Sequence, residues 1–262
     1  MRVILLLIIG VMAGCQSPLQ KAVESPYRTA AFVERDQYRH PIQTLEFFGI
    51  RRDMTVVEVW PGPAGWYTEV LAPLLREKGK LYAAQFPPDS GIGFYSRSLA
   101  NYREKLAGAP EAYDRVEITY LYPPQHIEIA PPETADAVLT FRNVHNWAKA
   151  GRAEKMFASF HAALKPGGVL GVVEHRATPG TSLKDQIETG YMTEAYVIEK
   201  ATAAGFVLEA SSEVNANPQD DHDHPAGVWT LPPTLRLGDE DRSQYLEIGE
   251  SDRMTLRFRK PE

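Results

Sequence analysis

The stretch VVEVWPGPAGWYTEVLAPLL, residues 56–75, combines three local signals in one run. Its first four residues are a short β-branched run, which predicts a buried strand. A cluster of proline and glycine follows at 60–65. Residues 68–75 then place Val70, Leu71, Leu74 and Leu75 at helical spacing. The stretch therefore predicts a strand that is joined to a helix by a glycine-containing loop.

The same alternation of strand and helix continues along the chain. We predict six further strands, at 80–86, 116–121, 135–141, 169–173, 206–210 and 254–258. Helices are predicted at 68–75, 94–106, 152–164 and 193–204. Strands that alternate with helices build a mostly parallel sheet covered on both faces. We therefore predict an α/β protein with a single domain over residues 31–262.

The composition is that of an ordinary globular protein and limits the classes of function. The 262 residues include 28 Lys or Arg and 34 Asp or Glu, which gives a formal charge of -6. Proteins that bind nucleic acid carry basic patches, so this balance predicts no nucleic-acid partner. Cys15 is the only cysteine, which excludes an internal disulfide bond and a zinc site built from cysteines.

The first 15 residues, MRVILLLIIGVMAGC, are typical of an export signal. Arg2 precedes an apolar run that is too short to span a bilayer and has the length of a signal-peptide core. The small residues before Cys15 resemble a bacterial lipobox, in which the chain is cut before a cysteine that becomes lipidated. We predict a signal peptide at 1–14 and a polar tether at 15–30. A buried amino-terminal strand with a core cysteine is the alternative.

The residue after the cysteine refines the predicted location. Gln16 stands there instead of an aspartate, which resembles the outer-membrane sorting pattern of Gram-negative lipoproteins. We therefore predict an exported lipoprotein at the periplasmic face of the outer membrane, anchored by the lipid on Cys15. No transmembrane helix is expected in the mature chain.

The glycine loop at 60–65 is the first candidate binding element. Gly62 and Gly65 allow a ligand to approach the backbone closely, and the helix that follows offers free N–H groups. In open parallel sheets, ligands bind beyond the carboxyl ends of the strands, where this loop is expected. A Pro/Gly turn is also the ordinary connector between a strand and a helix. The loop alone therefore leaves a purely structural role open.

Two further motifs strengthen the functional interpretation. DAVL at 136–139 lies in a predicted strand, and LKPGGVL at 164–170 ends a helix and begins the next strand. With the glycine loop, in this order and spacing, they resemble the class I S-adenosylmethionine-dependent methyltransferases. The segments VVEVWPGPAGWYTE, TFRNVHNW, VVEHR and IGESDRM resemble, more narrowly, one family of bacterial methyltransferases that are often exported.

The resemblance implies a Rossmann-like sheet of seven strands, mostly parallel with an antiparallel last strand, and helices on both faces. It also implies an S-adenosylmethionine pocket. The residues assigned to that cofactor are Glu58, Trp60, Gly62, Ala64, Gly65, Gln85 and Asn143. Two of them depart from the usual pattern. Trp60 stands where a glycine is usual, and Gln85 stands near the position of an acid that holds the ribose hydroxyls through stronger, charge-assisted bonds.

Polar side chains follow the predicted fourth and fifth strands. Arg142 and His145 come after residues 135–141, and His175 and Arg176 come after residues 169–173. We predict His145 first and His175 second as the base that takes a proton from the methyl acceptor, because a neutral imidazole is available near neutral pH. Arg142, also assigned to the catalytic site, and Arg176 could hold an anionic acceptor. Capping of strand ends is the alternative role.

Three other polar segments have two interpretations each. The run DDHDH at 220–224 is either a solvated acidic loop, which we favour, or a metal site, and we assign no metal ligand. The run ESDR at 250–253 could clamp the irregular insertion at 215–252, which is either mobile or placed near the site. The run RDQYRH at 35–40 precedes an apolar helix and is either a solvated face or part of a lid.

Two functions remain open from the sequence. The first is an S-adenosylmethionine-dependent methyltransferase that acts on a small-molecule acceptor and is anchored as a lipoprotein. The second is a non-catalytic ligand-binding protein of the cell envelope on a degenerate methyltransferase fold. Trp60 and Gln85 favour the second function, whereas the glycine loop and the KPGG motif at 165–168 favour the first.

Overall fold

A computed structural model describes residues 16–262 and contains one seven-stranded sheet. The strands are β1 Thr55–Val59, β2 Lys80–Gln85, β3 Val116–Tyr120, β4 Ala135–Phe141, β5 Leu164–His175, β6 Val207–Ser212 and β7 Arg253–Arg259. The helices that precede β4 are α1 Pro18–Val23, α2 Ala30–Val33, α3 Asp36–Arg39, α4 Pro41–Phe47, α5 Thr68–Leu75, α6 Gly93–Gly108 and α7 Pro110–Tyr113. After β4 come α8 Val144–Lys149, α9 Ala153–Ala163, α10 Leu183–Thr189, α11 Glu194–Ala203, a 3-10 helix Gly227–Thr230 and α12 Arg242–Ile248.

The strand order is β3-β2-β1-β4-β5-β7-β6, with β7 antiparallel to both of its neighbours and the other pairs parallel. This confirms the predicted seven-stranded sheet with an antiparallel last strand. The carboxyl ends of β1, β4 and β5 lie side by side at one edge. Residues that follow these three strands are therefore brought together, although they are far apart in the sequence.

Continuous apolar strands form this sheet because both of its faces are covered. Along β4, Val138 packs into the core layer on one face, while Ala137 and Leu139 pack into the layer on the other. Successive side chains point to opposite faces, so a strand buried on both sides needs an unbroken apolar run. The structure also starts β5 at Leu164, five residues earlier than predicted, because Leu164 pairs with Ala135 before the register shifts.

The amino-terminal segment differs from the predicted tether. Residues 1–15, including the predicted signal peptide and Cys15, lie outside the described residues. From Pro18 the chain forms α1, with Ser17 as its N-cap, and buries Leu19 and Ala22 against α5. The prediction of a polar tether through residue 30 is therefore wrong for the described part of that segment. Two apolar side chains, three positions apart, are enough to dock the helix, and so short an apolar pattern carries little sequence signal.

The insertion at 215–252 is folded and fixed to the sheet. Asp252 accepts hydrogen bonds from Arg176 Nε at 2.8 Å and from the backbone N–H of Asn217 at 2.8 Å. Asp220 accepts from the backbone N–H of Asp252 and from the Tyr191 hydroxyl. These contacts support the predicted structural clamp. Among the described residues, no helix is long and apolar enough to cross a membrane.

Candidate active site

A cleft of about 590 Å³ lies at the carboxyl ends of β1, β4 and β5. The amino-terminal helices and the insertion form its other walls. Nine of the ten predicted site residues line it, namely Glu58, Trp60, Gly62, Ala64, Gly65, Arg142, Asn143, His145 and His175. The exception is Gln85, which is fully buried beneath the glycine loop. The cleft is thus the place where the sequence predictions converge.

The two glycines of the loop have different roles. Both have a positive φ, 74° at Gly62 and 58° at Gly65, which glycine adopts at little cost. A Cβ at Gly62 would meet nothing within 4 Å. A Cβ at Gly65 would lie 2.8 Å from Thr68 Oγ1 and 2.9 Å from a ring carbon of Tyr102. Gly62 therefore leaves room for a ligand, whereas Gly65 is required for packing inside the protein.

Trp60 and Gln85, the two residues that depart from the methyltransferase pattern, both make contacts inside the protein. Trp60 has a φ of 46°, its indole N–H donates to the Leu121 carbonyl at 3.0 Å, and its ring packs 4.6 Å from the Phe86 ring. Gln85 Nε2 donates to the Gly62 carbonyl at 2.8 Å. Gln85 thus supports the loop from below and does not face the cleft. Its assignment as a ribose-binding residue is not supported by this geometry.

Glu58 is a buried carboxyl in the cleft wall. The Thr68 hydroxyl donates to its Oε2 at 2.6 Å and lies 3.1 Å from the Tyr102 hydroxyl. Burial raises the pKa of Glu58 to about 7, although the hydrogen bonds from Thr68 oppose the shift. Near neutral pH this carboxyl therefore exists in both protonation states.

Asn143 joins β1 to β4 at the edge of the cleft. Its Nδ2 donates to the Val59 carbonyl at 3.0 Å and lies 3.3 Å from Thr140 Oγ1. The amide thereby fixes the point where the glycine loop leaves β1. Its position in the cleft wall agrees with the prediction, and its contacts indicate that it holds the loop in place.

His145 and Glu174 form an imidazole–carboxylate pair. His145 Nδ1 lies 3.0 Å from Glu174 Oε1, and the carboxylate also accepts from the backbone N–H groups of Val144 and His175. Glu174 is fully buried. Because the carboxylate can only accept, Nδ1 carries the proton and Nε2 presents a lone pair, to which the Asn146 amide donates at 3.0 Å. This is the arrangement of a general base held by a buried acid.

His175 is a less suitable base. Its Nδ1 is hydrogen-bonded to the Ser251 hydroxyl at 2.5 Å, and its ring centroid is 5.5 Å from that of His145. Burial, followed by His145 and the nearby arginines, lowers the pKa of His175 well below its ordinary value. His175 is therefore a neutral group that supports the cleft wall.

Arg176 does not take the role suggested for it. Its guanidinium is bound to Asp252, with further ion pairs to Glu213 and Glu194. It does not line the cleft. Arg176 therefore fixes the insertion, and of the two arginines suggested for an anionic acceptor only Arg142 remains.

Three arginines in the cleft were not assigned to a binding role from the sequence. Arg35 and Arg39 come from the amino-terminal helices and Arg253 from the start of β7, and all three bind the buried Glu250. Arg142 lies beside them in the cleft wall. The runs RDQYRH and ESDR contained these residues, but nothing local indicated that segments more than 200 positions apart meet.

The segment at 220–224 is part of the clamp of the insertion. Asp220 is buried and accepts from the His224 ring at 2.9 Å, the His222 backbone N–H at 3.0 Å and the Tyr191 hydroxyl. The solvated acidic loop that we favoured from the sequence describes the exposed Asp221 and Asp223 but not the buried Asp220. Because Asp220 already accepts these protein hydrogen bonds, its carboxylate has a structural role.

Comparison with known proteins identifies the class of fold. No profile of a known protein family and no curated protein sequence matches this chain. A SAM-dependent methyltransferase from Aquifex aeolicus has a TM-score of 0.57 and 16% identity, with 94% of this chain and 100% of that chain covered. The [4+2]-cyclase SpnF has a TM-score of 0.57 and 17% identity, with 93% and 92% covered.

A third solved structure contains the cofactor. Phosphoethanolamine N-methyltransferase 2 from Haemonchus contortus, in complex with S-adenosyl-L-methionine, has a TM-score of 0.58 and 15% identity, covering 95% of this chain and 61% of that chain. Together these similarities show that the chain has the fold of the class I S-adenosylmethionine-dependent methyltransferases. Fold similarity at such identity does not assign a reaction.

The cleft residues fit the cofactor at the glycine loop. The open space above Gly62 and its positive φ provide a bare backbone surface. At the ribose end the fit is poorer, since Gln85 is committed to the Gly62 carbonyl. The residues that would hold S-adenosylmethionine are therefore the loop at 61–65 and the neighbouring Glu58.

Proposed function

We propose that this protein is an S-adenosylmethionine-dependent methyltransferase that acts on a small-molecule acceptor with a dissociable proton. The observation that carries the proposal is the His145–Glu174 pair, which stands in the same cleft as the glycine loop. A base and a ligand-binding loop at the carboxyl edge of this fold are the two elements that such a reaction needs.

The bound cofactor would supply an electrophilic methyl group. The protein's part begins at His145, where Glu174 holds the proton on Nδ1 and leaves Nε2 free to accept one. An acceptor hydroxyl or amine would replace the Asn146 amide at Nε2 and lose its proton there. Glu174 would stabilise the imidazolium that forms, because it is an anion within hydrogen-bond distance of Nδ1.

The walls of the cleft would orient the acceptor and limit the access of water. Trp229 of the insertion packs edge-on to His145, with ring centroids 5.9 Å apart. Phe141 and Tyr67 stack at 3.5 Å beneath the amino-terminal helices. Methyl transfer depends mainly on alignment of the reacting groups, so these rigid aromatic walls support the proposal.

Calorimetric titration of the purified protein with S-adenosylmethionine and S-adenosylhomocysteine tests the function. We expect both to bind, and we expect S-adenosylhomocysteine to compete with S-adenosylmethionine. If neither binds at millimolar concentration, the methyltransferase proposal fails. The result would then favour a non-catalytic ligand-binding protein. The hydrogen bonds that Trp60 and Gln85 donate to carbonyls inside the protein already favour that alternative.

We also propose that the protein is exported and anchored through lipidated Cys15. The support is the apolar run and the lipobox-like residues at 1–15. Mass spectrometry of the membrane-bound protein should find no peptide from residues 1–14, and Cys15→Ser should abolish retention on the membrane. Release of the unaltered protein by high salt would contradict the proposal.

A further inference from the structure

One part of the cleft wall is strongly cationic. Arg35, Arg39, Arg142 and Arg253 line it, and we refer to these four residues as the arginine cluster. Within residues 16–262, Glu250 is the one carboxylate that forms ion pairs with them. Four guanidinium groups and one carboxylate leave an excess of three positive charges in this part of the cleft.

Two of the four arginines are buried. Arg39 and Arg253 are each only 2% exposed. Arg253 Nε and Arg35 Nη2 are buried and have no hydrogen-bond partner among the described residues. Buried donors without partners are costly, since they have lost their contacts with water. The cluster therefore has unused hydrogen-bonding capacity as well as unbalanced charge.

Arg142 is the member with the most freedom to bind a ligand. Its side chain makes no hydrogen bond or ion pair in the described part of the chain. Burial, followed by Arg253, lowers its pKa to about 10, so it remains charged at neutral pH. Its backbone φ of 60° is unusual for a residue that is not glycine. Strain of this kind is concentrated at functional positions.

The arginine cluster extends along the cleft from the end of β4 to the start of β7. The loop follows β1, Arg142 follows β4, and Arg253 begins β7, which lies beyond β5 in the sheet. Neighbouring strands are about 4.8 Å apart, so β1 and β7 are separated by roughly 14 Å. Arg253 is the register partner of His175 across β5 and β7, and the centroid of the His175 ring lies 5.5 Å from that of His145. A ligand held at the Arg253 side of the cluster would thus be near the predicted base.

We propose that the arginine cluster binds an oxyanion, a carboxylate or a phosphate, of the methyl acceptor. This inference rests on the proposed function for the identity of the second ligand, but the anion site itself follows from the charges. A planar guanidinium can bind either group through two parallel hydrogen bonds. An oxyanion would balance the excess charge and give the unpartnered donors an acceptor. The acceptor is then an acidic small molecule, oriented with its other end at His145.

The first test uses inorganic phosphate and succinate as probes. The melting temperature is measured in each, against sodium chloride at equal ionic strength, and affinity is measured by calorimetry. We expect at least one probe to raise the melting temperature by several degrees over chloride. A preference between them identifies the acidic group of the acceptor. If neither differs from chloride, the inference is overturned.

Substitution of Arg142 is the sharpest variant, because its side chain has no partner to lose among residues 16–262. Arg142→Gln should weaken binding of the probe at least tenfold. Without a probe, it should melt at the same temperature as the wild type or higher, because one unbalanced charge is removed. Arg51→Gln, at a side chain that is 66% exposed, is the matched control and should bind the probe normally. Unchanged affinity in Arg142→Gln would contradict the inference.

A competition experiment separates this inference from the proposed function. S-adenosylhomocysteine carries a carboxylate of its own, so it is titrated in the presence of the bound probe. We expect both to bind together. Displacement of the probe would mean that the cluster holds the cofactor, and the inference would be wrong. Binding of the probe without any binding of S-adenosylhomocysteine would support the anion site and reject the methyltransferase function.

Discussion

Glu58 and His175 are both buried in the cleft wall, and burial favours the neutral form of each. The pKa of Glu58 is raised to about 7, and that of His175 is lowered well below its ordinary value. The same physical cause moves an acid and a base in opposite directions, because the charged form is the one that burial disfavours. The protonation of the cleft near neutral pH is thus set by burial and by the neighbouring charges.

His145→Ala should remove the base and leave the binding surface intact. We expect turnover to fall by roughly 10²–10⁴ and the affinity for S-adenosylmethionine to stay close to the wild type, while the melting temperature falls by a few degrees because the buried Glu174 loses one hydrogen bond. Turnover, calorimetry and thermal unfolding measure the three quantities. His161→Ala, on α9 outside the cleft, is the control. Wild-type turnover in His145→Ala, on a verified acceptor, would show that positioning alone drives the reaction.

Glu58→Gln should change how stability depends on pH. The pKa of Glu58 is raised from 4.5 to about 7 in the folded protein, so the unfolded chain ionises first as pH rises. Stability is therefore lost between about pH 4.5 and pH 7, and the loss above pH 7 is about 3 kcal/mol. The variant should be more stable than the wild type at pH 8 by up to this amount, and similar to it at pH 4.5.

Urea unfolding across that pH range measures the difference for Glu58→Gln. His222, whose pKa is raised by its bond to Asp252, also affects stability near neutral pH, so the relevant quantity is the wild type minus the variant. Glu104→Gln, at an exposed position on α6, should show no such difference. Parallel curves for wild type and Glu58→Gln would contradict the prediction.

At the scale of elements, the glycine loop combines binding and packing in a few residues. Gly62 faces open space, whereas Gly65 faces Thr68 and Tyr102. From the sequence alone we would expect Gly65→Val to block the cofactor and leave the fold largely intact. The structure indicates instead that a side chain at Gly65 clashes inside the protein. Two glycines with the same sign of φ therefore have different effects when they are substituted.

Gly62→Asn should weaken S-adenosylmethionine binding at least tenfold, with only a small loss of stability. Asparagine tolerates a positive φ better than most residues, so the backbone should cost about 1 kcal/mol or less. Gly65→Ala should lower stability clearly, because its Cβ lies under 3.0 Å from two side chains. Thermal unfolding and calorimetry distinguish the variants. Normal cofactor binding by Gly62→Asn would place the cofactor away from this loop.

At the scale of the whole molecule, the insertion completes the cleft because buried charges hold it to the sheet. Asp252 binds Arg176 through two hydrogen bonds, at 2.8 and 3.0 Å. Although burial raises its pKa, the bonds from His222 and Arg176 keep it below the ordinary value of 3.8. Such a group contributes stability above about pH 4, and this stability is lost as the pH falls further.

Asp252→Asn should therefore destabilise the protein by about 2 kcal/mol at neutral pH, because it removes the charge from a buried carboxylate that accepts hydrogen bonds from Arg176 and Asn217. The insertion should also become more sensitive to proteolysis. Limited digestion followed by mass spectrometry, together with urea unfolding, measures both effects. Glu188→Gln removes an exposed pair with Lys184 and should change stability by less than about 1 kcal/mol. Equal effects of the two variants would contradict the proposed clamp.

The sheet and the edge at which the site lies were readable from the sequence. Alternating strand and helix patterns and the glycine loop are local signals, readable within some 20 residues. They predicted β4 at residues 135–141 and α5 at residues 68–75, as the structure has them. They also brought His145 and His175 to one edge, because the carboxyl ends of parallel strands meet there.

Which polar groups pair depends on how distant segments pack, and the sequence patterns did not predict it. Arg35 and Arg39 bind Glu250, which is 215 and 211 positions away in the sequence. Glu174 binds His145, which is 29 positions away. Gln85 turned out to support the loop because its amide reaches the Gly62 carbonyl. The energy of a charge or hydrogen bond depends on distance and burial, and neither is fixed until the chain is packed.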